Sequence, residues 1–132
     1  MANTEAKSGR PLSPHLQVYR WPVPMLVSIL HRITGGALYF GTLLIAAWLI
    51  AAAAGPGPFA VADMVFGSLL GRLVLFGYSW ALIHHMLGGI RHLVWDMGHC
   101  FGQKERDLLS RLNIIGSVAL TILVWVVALV LR

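Results

Sequence analysis

The sequence predicts an all-α integral membrane protein with three transmembrane helices, forming part of a helical bundle that a partner subunit completes. Three observations carry this. The 132 residues are 58% hydrophobic and only 11% charged, above the ~45–50% apolar content of soluble domains. Three apolar stretches of about 20 residues, the length that crosses a bilayer core, take up roughly half the chain. The polar sequence left over is too short to solvate a globular surface, and so short a chain encloses little by itself, which leaves a face of each span for a neighbour.

The segment 1–24 is polar and basic, with no apolar run or small-residue cleavage site of a secretory signal. It also lacks the arginine-rich pattern of a transit peptide. Prolines at 11, 14, 22 and 24 keep it out of a regular helix, because each lacks an amide donor and biases the preceding residue toward extended geometry. A membrane domain then covers 25–132. Its first span is expected from Met25 to Ala54, with Arg32 as the one formal charge, and Gly55, Pro56, Gly57 and Pro58 break it. The stretch up to Gly67 reads as a short loop. The second span runs over about 69–95, with Arg72 and Arg91 near its ends, where long cationic side chains reach the interface. A polar connection over 96–110 leads to a third span over about 112–131 that reads as nearly featureless.

Basic residues in short loops stay cytoplasmic. Lys7, Arg10, Arg20, Lys104, Arg106 and Arg111 fall on one side, against Arg72 and Arg132 near the other. The amino terminus is therefore expected in the cytoplasm and the carboxyl terminus across the membrane. The start of span one and the end of span two then meet at one surface.

Ionisable groups inside a span cost about 2.5–3.5 kcal/mol at mid-helix on insertion scales, so each is a functional candidate. His85, Gly89, His92 and Asp96 follow at intervals of four, three and four, along one helix face with a small residue between the imidazoles. A flat ligand suits such a face, and imidazole is a usual axial ligand of haem iron. His84 points about 100° away from His85. The plainer reading is that these histidines are polar packing residues. Ser28, His31 and Arg32 fall at i, i+3 and i+4, a set able to bind a carbonyl or carboxylate; the plainer reading of Arg32 is a headgroup anchor. Arg91 and Asp96 are five apart, which leaves pairing across helices, snorkelling and helix termination all open. His15, Tyr19, Trp21 and Trp95 read as interface residues, His99 and Cys100 as loop residues, and Gly35, Gly36 and Gly41 as sites of close helix packing. The lone Cys100 excludes an internal disulfide or a CxxC pair. The net charge of +5 is scattered at segment ends rather than gathered into a stripe with aromatics, which argues against nucleic-acid binding.

Three segments, RPLSPHLQVY at 10–19, SILHRITG at 28–35 and HMLGGIRHLVWDMG at 85–98, resemble in order and spacing the cytochrome b subunit of succinate dehydrogenase, the larger membrane anchor of respiratory complex II. The resemblance implies a complex with a flavoprotein subunit, an iron–sulfur subunit and a smaller anchor subunit, and the lack of a transit-peptide pattern makes a bacterial inner membrane the simpler expectation. It implies haem b as cofactor and ubiquinone as substrate. Position by position, it implies that His85 is the axial ligand of haem iron, with a second ligand from the smaller anchor. It implies that Ser28 and Arg32 line the quinone pocket, and that His31, Arg32 and His92 lie by the haem propionates. Asp96 is implied as a polar position near haem and quinone, and is taken as the proton supply. Succinate oxidation itself would reside on another chain, since this one has no flavin fingerprint and no iron–sulfur cysteine set. Rival readings are a structural anchor without haem, a small transporter or metal-binding membrane protein using the histidines, and a fumarate reductase working with menaquinone.

Overall fold

The computed structural model describes residues 20–131, and these form four α-helices with no strand among them. Helix α1 spans Val23–Ala54, α2 Pro56–Gly67, α3 Leu69–Asp96 and α4 Gln103–Val130. Helices α1, α3 and α4 are long and apolar enough to cross a membrane. The 32 residues of α1, at a rise of ~1.5 Å each, extend for about 48 Å, more than a hydrocarbon core of ~30 Å, so the helix tilts or projects beyond it. The segment 1–19, with its expected proline-broken course and His15 and Tyr19, lies outside the described residues, as does Arg132.

Each boundary has a local cause. Pro22, extended at φ −71° and ψ 149°, is the N-cap of α1, and its carbonyl accepts from Met25 and Leu26. Pro24 sits in the first turn, where its missing amide costs nothing. The start at Val23 thus precedes the expected Met25. Gly55 ends α1 with φ 115°, a region that only glycine enters without strain. The sequence reading of 55–67 as a loop is corrected here. Pro56 and Pro58 occupy the first turn of α2, which proline tolerates, so the prolines that stop one helix start the next. With its 12 residues, α2 is too short to cross a bilayer.

Ser68 then caps α3, its hydroxyl oxygen accepting from the Gly71 amide at 3.1 Å. The end of α3 is a Schellman turn. Gly98 at φ 81° donates to the Trp95 carbonyl and His99 to the Val94 carbonyl. Helix α4 begins at Gln103 rather than near 112, because the Glu105 carboxylate accepts from the Gly102 amide and complements the helix dipole.

Helix α3 packs between α1 and α4, α1 also touches α4, and α2, which connects α1 to α3, packs against both. The interior is inverted relative to a soluble protein. Among the described residues the buried apolar side chains are Val27 and Ala81, whereas Thr34, His84, Arg91, Ser110, Asn113, Ser117 and Thr121 are buried polar ones. Leucines, isoleucines and valines face outward, as a lipid solvent requires. On α4, Ser110, Asn113, Ser117 and Thr121 recur at helical spacing and form one buried stripe. The third span is therefore not featureless.

Candidate functional site

The site lies where the first turns of α1 cross the second half of α3. His31 of α1 and His85 of α3 stack with ring centroids 3.9 Å apart and planes 5° from parallel. His92, two turns along α3, tilts against His31 at 5.4 Å. The approach is close because of glycine: a Cβ on Gly88 would collide with the His31 ring, and one on Gly35 would come within 3.0 Å of His85 Cε1.

The two adjacent histidines face different helices. His85 Nδ1 donates to the His31 carbonyl at 3.1 Å and lies 3.4 Å from Thr34 Oγ1. The Thr34 hydroxyl hydrogen is directed to carbonyls of its own helix, so its oxygen is an acceptor for the same N–H. This fixes the tautomer and leaves His85 Nε2 as a bare lone pair, with no protein hydrogen bond among the described residues. An imidazole held by a backbone carbonyl on one nitrogen is the arrangement that metal-ligating histidines adopt. Gly89, one turn on, meets none of the described residues within 4 Å of where a Cβ would stand, which leaves room there for a flat group. His31 Nδ1 is buried against Gly88 and has no hydrogen-bond partner among the described residues. These features fit a haem.

His84, by contrast, is fully buried against α4. Its Nδ1 lies 3.2 Å from Ser117 Oγ, and Asn113 Nδ2 lies 3.4 Å from both Nδ1 and Nε2, so the ring is engaged by α4. Trp80 tilts over the same ring.

The remaining candidates are less converged. Ser28 and Arg32 lie one turn apart on α1 at this same end, Ser28 half-buried and Arg32 exposed. His92 is exposed and edges onto Trp95. Asp96, exposed, is the last residue of α3. Arg91, read as pairing across helices or snorkelling, is buried. Its Nη1 donates to Ser110 Oγ at 3.2 Å and its guanidinium lies 4.9 Å over the Trp95 ring. It joins α3 to α4 rather than snorkelling. Trp95 is half-buried, between Arg91 and His92, rather than an exposed anchor. Of the span-one glycines, Gly35 and Gly41 make close packing against His85 and Tyr78, while Gly36 faces open space. Sequence reasoning missed Thr34, Ser110, Asn113 and Ser117, all buried. The recurrence of small polar residues at 110, 113, 117 and 121 was the signal that could have found those on α4.

Among the described residues, no three His, Cys, Asp or Glu side chains converge to hold a metal ion, so the transporter or metal-binding reading finds no such cluster there. Fold and site together define a three-span helical membrane protein with an imidazole cluster at one end of its bundle. The chain matches the family described as succinate dehydrogenase/fumarate reductase transmembrane subunit over residues 6–128, and it belongs to that family. It is 48% identical over 121 residues to the succinate dehydrogenase cytochrome b556 subunit of Paracoccus denitrificans, covering 92% of this chain and 93% of that one. It is 37% identical over 122 residues to the subunit of the same name from Rickettsia prowazekii, covering 92% and 95%. The mitochondrial cytochrome b560 subunit of Sus scrofa is 42% identical over 101 residues, 73% of this chain and 58% of that protein. As a member, the chain is a membrane subunit of the oxidoreductase succinate dehydrogenase.

Proposed function

We propose that this chain is the haem b- and ubiquinone-binding anchor of a succinate:ubiquinone oxidoreductase, and that it passes electrons from an iron–sulfur subunit to ubiquinone. The observation that supports it most is the state of His85, whose Nδ1 is engaged by the His31 carbonyl while Nε2 has no hydrogen bond among the described residues, beside a Gly89 that meets none of them within 4 Å. His85 would be the axial ligand, with His31, Arg32 and His92 beside the propionates. When bound, haem b supplies a one-electron carrier and a bridge to a second anchor subunit. The partners are then a flavoprotein subunit, the iron–sulfur subunit, the smaller anchor and membrane lipid. The membrane is a bacterial inner membrane, with the amino terminus cytoplasmic and the carboxyl terminus periplasmic, as the loop charges favour.

Reduction of ubiquinone takes two electrons and two protons. Ser28 would donate its hydroxyl hydrogen to one quinone oxygen and so fix the ring's orientation. Arg32, always charged, would favour the negative charge that builds on the oxygens as electrons arrive, because a positioned cation in a dry site needs no reorganisation. Asp96, exposed at the end of α3, would return protons from the aqueous side. The assay is succinate oxidation by the membrane complex with two acceptors, ubiquinone and a soluble dye that takes electrons before the membrane. Ser28→Ala and Arg32→Gln should raise the KM for ubiquinone at least tenfold and leave dye reduction unchanged. Equal rates with both acceptors in both variants would overturn the quinone assignment.

A further inference from the structure

His84 is the one fully buried imidazole of the chain's described residues, and the haem and quinone chemistry above leaves it without a task. Hydrogen accounting fixes its state. The Ser117 hydroxyl hydrogen is spent on the Ile114 carbonyl at 2.9 Å, so Ser117 Oγ accepts from His84 Nδ1–H at 3.2 Å. Asn113 Nδ2 lies 3.4 Å from both ring nitrogens, and with the hydrogen on Nδ1 it is Nε2 that accepts from it. The bond to Ser117 and the longer contact with Asn113 join α3 to α4 at the residue next to His85. On the other side, His85 is itself tied to α1 through the His31 carbonyl.

We propose that His84, held by Ser117 and Asn113, is a positioning residue that sets the rotation and depth of α3 and thereby the direction of His85 Nε2. The proposal rests on the reading of His85 as a haem ligand. Adjacent residues on a helix point about 100° apart and move as one rigid unit, so a bond that stops α3 from rolling at position 84 stops it at position 85. Ligand sites need their first atoms held within about 0.5 Å by just such supporting contacts. The Asn113 and Ser117 contacts supply this from within the membrane, where water offers no competing partner.

The control residue is Thr121, one turn beyond Ser117 on the same buried stripe. Its hydroxyl donates to the Ser117 carbonyl of its own helix and ties nothing to α3. The experiment uses the assembled complex in mild detergent, reduced and exposed to carbon monoxide, which binds only where an axial ligand of haem iron has been loosened. Ser117→Ala should raise the CO-reactive fraction of haem at least fivefold over wild type and shift the haem midpoint potential, and Thr121→Ala should do neither. Asn113→Leu, which removes the second bond, is read in the same way and serves if Ser117→Ala fails to assemble. Wild-type CO reactivity and potential in both Ser117→Ala and Asn113→Leu would overturn the proposal, as would an equal change in Thr121→Ala, which marks general loosening of α4. A wild-type complex without haem would overturn the ligand reading and the proposal with it, an outcome distinct from haem that is present but indifferent to α4.

Discussion

Gly88 is where the packing of the site can be weighed most directly. It is buried, and a Cβ placed on it would run into the His31 ring, which is stacked 3.9 Å from His85. Gly88→Ala therefore has two opposing effects. Alanine in a helix interior gains about 1 kcal/mol over glycine. Overpacking a site that cannot relax freely costs about 1–3 kcal/mol. Gly36 on α1 and Gly77 on α3 meet none of the described residues within 4 Å, so alanine there collects the gain alone. The structure thus predicts that Gly88→Ala is about 1–3 kcal/mol less stable than either control, the difference being the displacement of His31 from His85. Thermal melting of the detergent-solubilised complex, followed by the helical signal, measures this. A Gly88→Ala complex that melts with the two controls would refute the close α1–α3 approach on which the site depends.

Three further outcomes are expected from the same kind of melting measurement. Ser68→Ala removes the cap of α3 and should cost about 1 kcal/mol, while Ser68→Asp keeps an acceptor and should stay near wild type. Arg91→Leu loses the charged bond to Ser110 and the stack on Trp95. It should cost about 1.5–3 kcal/mol, with Arg91→Lys falling between it and wild type because the ammonium cannot reproduce the planar stack. The Trp125 indole donates to Ser79 Oγ at 3.3 Å. Trp125→Phe removes that donor and should cost about 0.5 to about 1.5 kcal/mol.

Much of this architecture was legible in the residues. Apolar length gave the three spans, because a lipid solvent imposes a minimum run of hydrophobic side chains whatever their order. The intervals gave two sets, His85 with His92 on one span and His31 with Ser28 and Arg32 on another, because helical periodicity is local, and the loop charges put both at one surface. What could not be read is of a different kind. Pro56 and Pro58 carry the same chemistry whether they stop α1 or start α2, and only the glycine before them, turned to positive φ, decides. The polar start of α4 was legible as polar but not as helix, since its cap depends on one carboxylate folding back on Gly102. The sequence favours His85 over His84 as ligand but shows none of their neighbours: the carbonyl of His31 and the hydroxyl of Thr34 on one side, Asn113 and Ser117 on the other. Those partners come from helices far along the chain, and no spacing within α3 contains them.

On the proposed reading, His85 holds a haem while His84 holds a helix. A reduced-minus-oxidised visible spectrum of the complex, taken for wild type, His85→Ala and His84→Ala, tests it most directly. The account predicts a b-type band in wild type, its loss in His85→Ala and its survival in His84→Ala. A wild-type complex with no such band, or a band lost in His84→Ala and kept in His85→Ala, would contradict it.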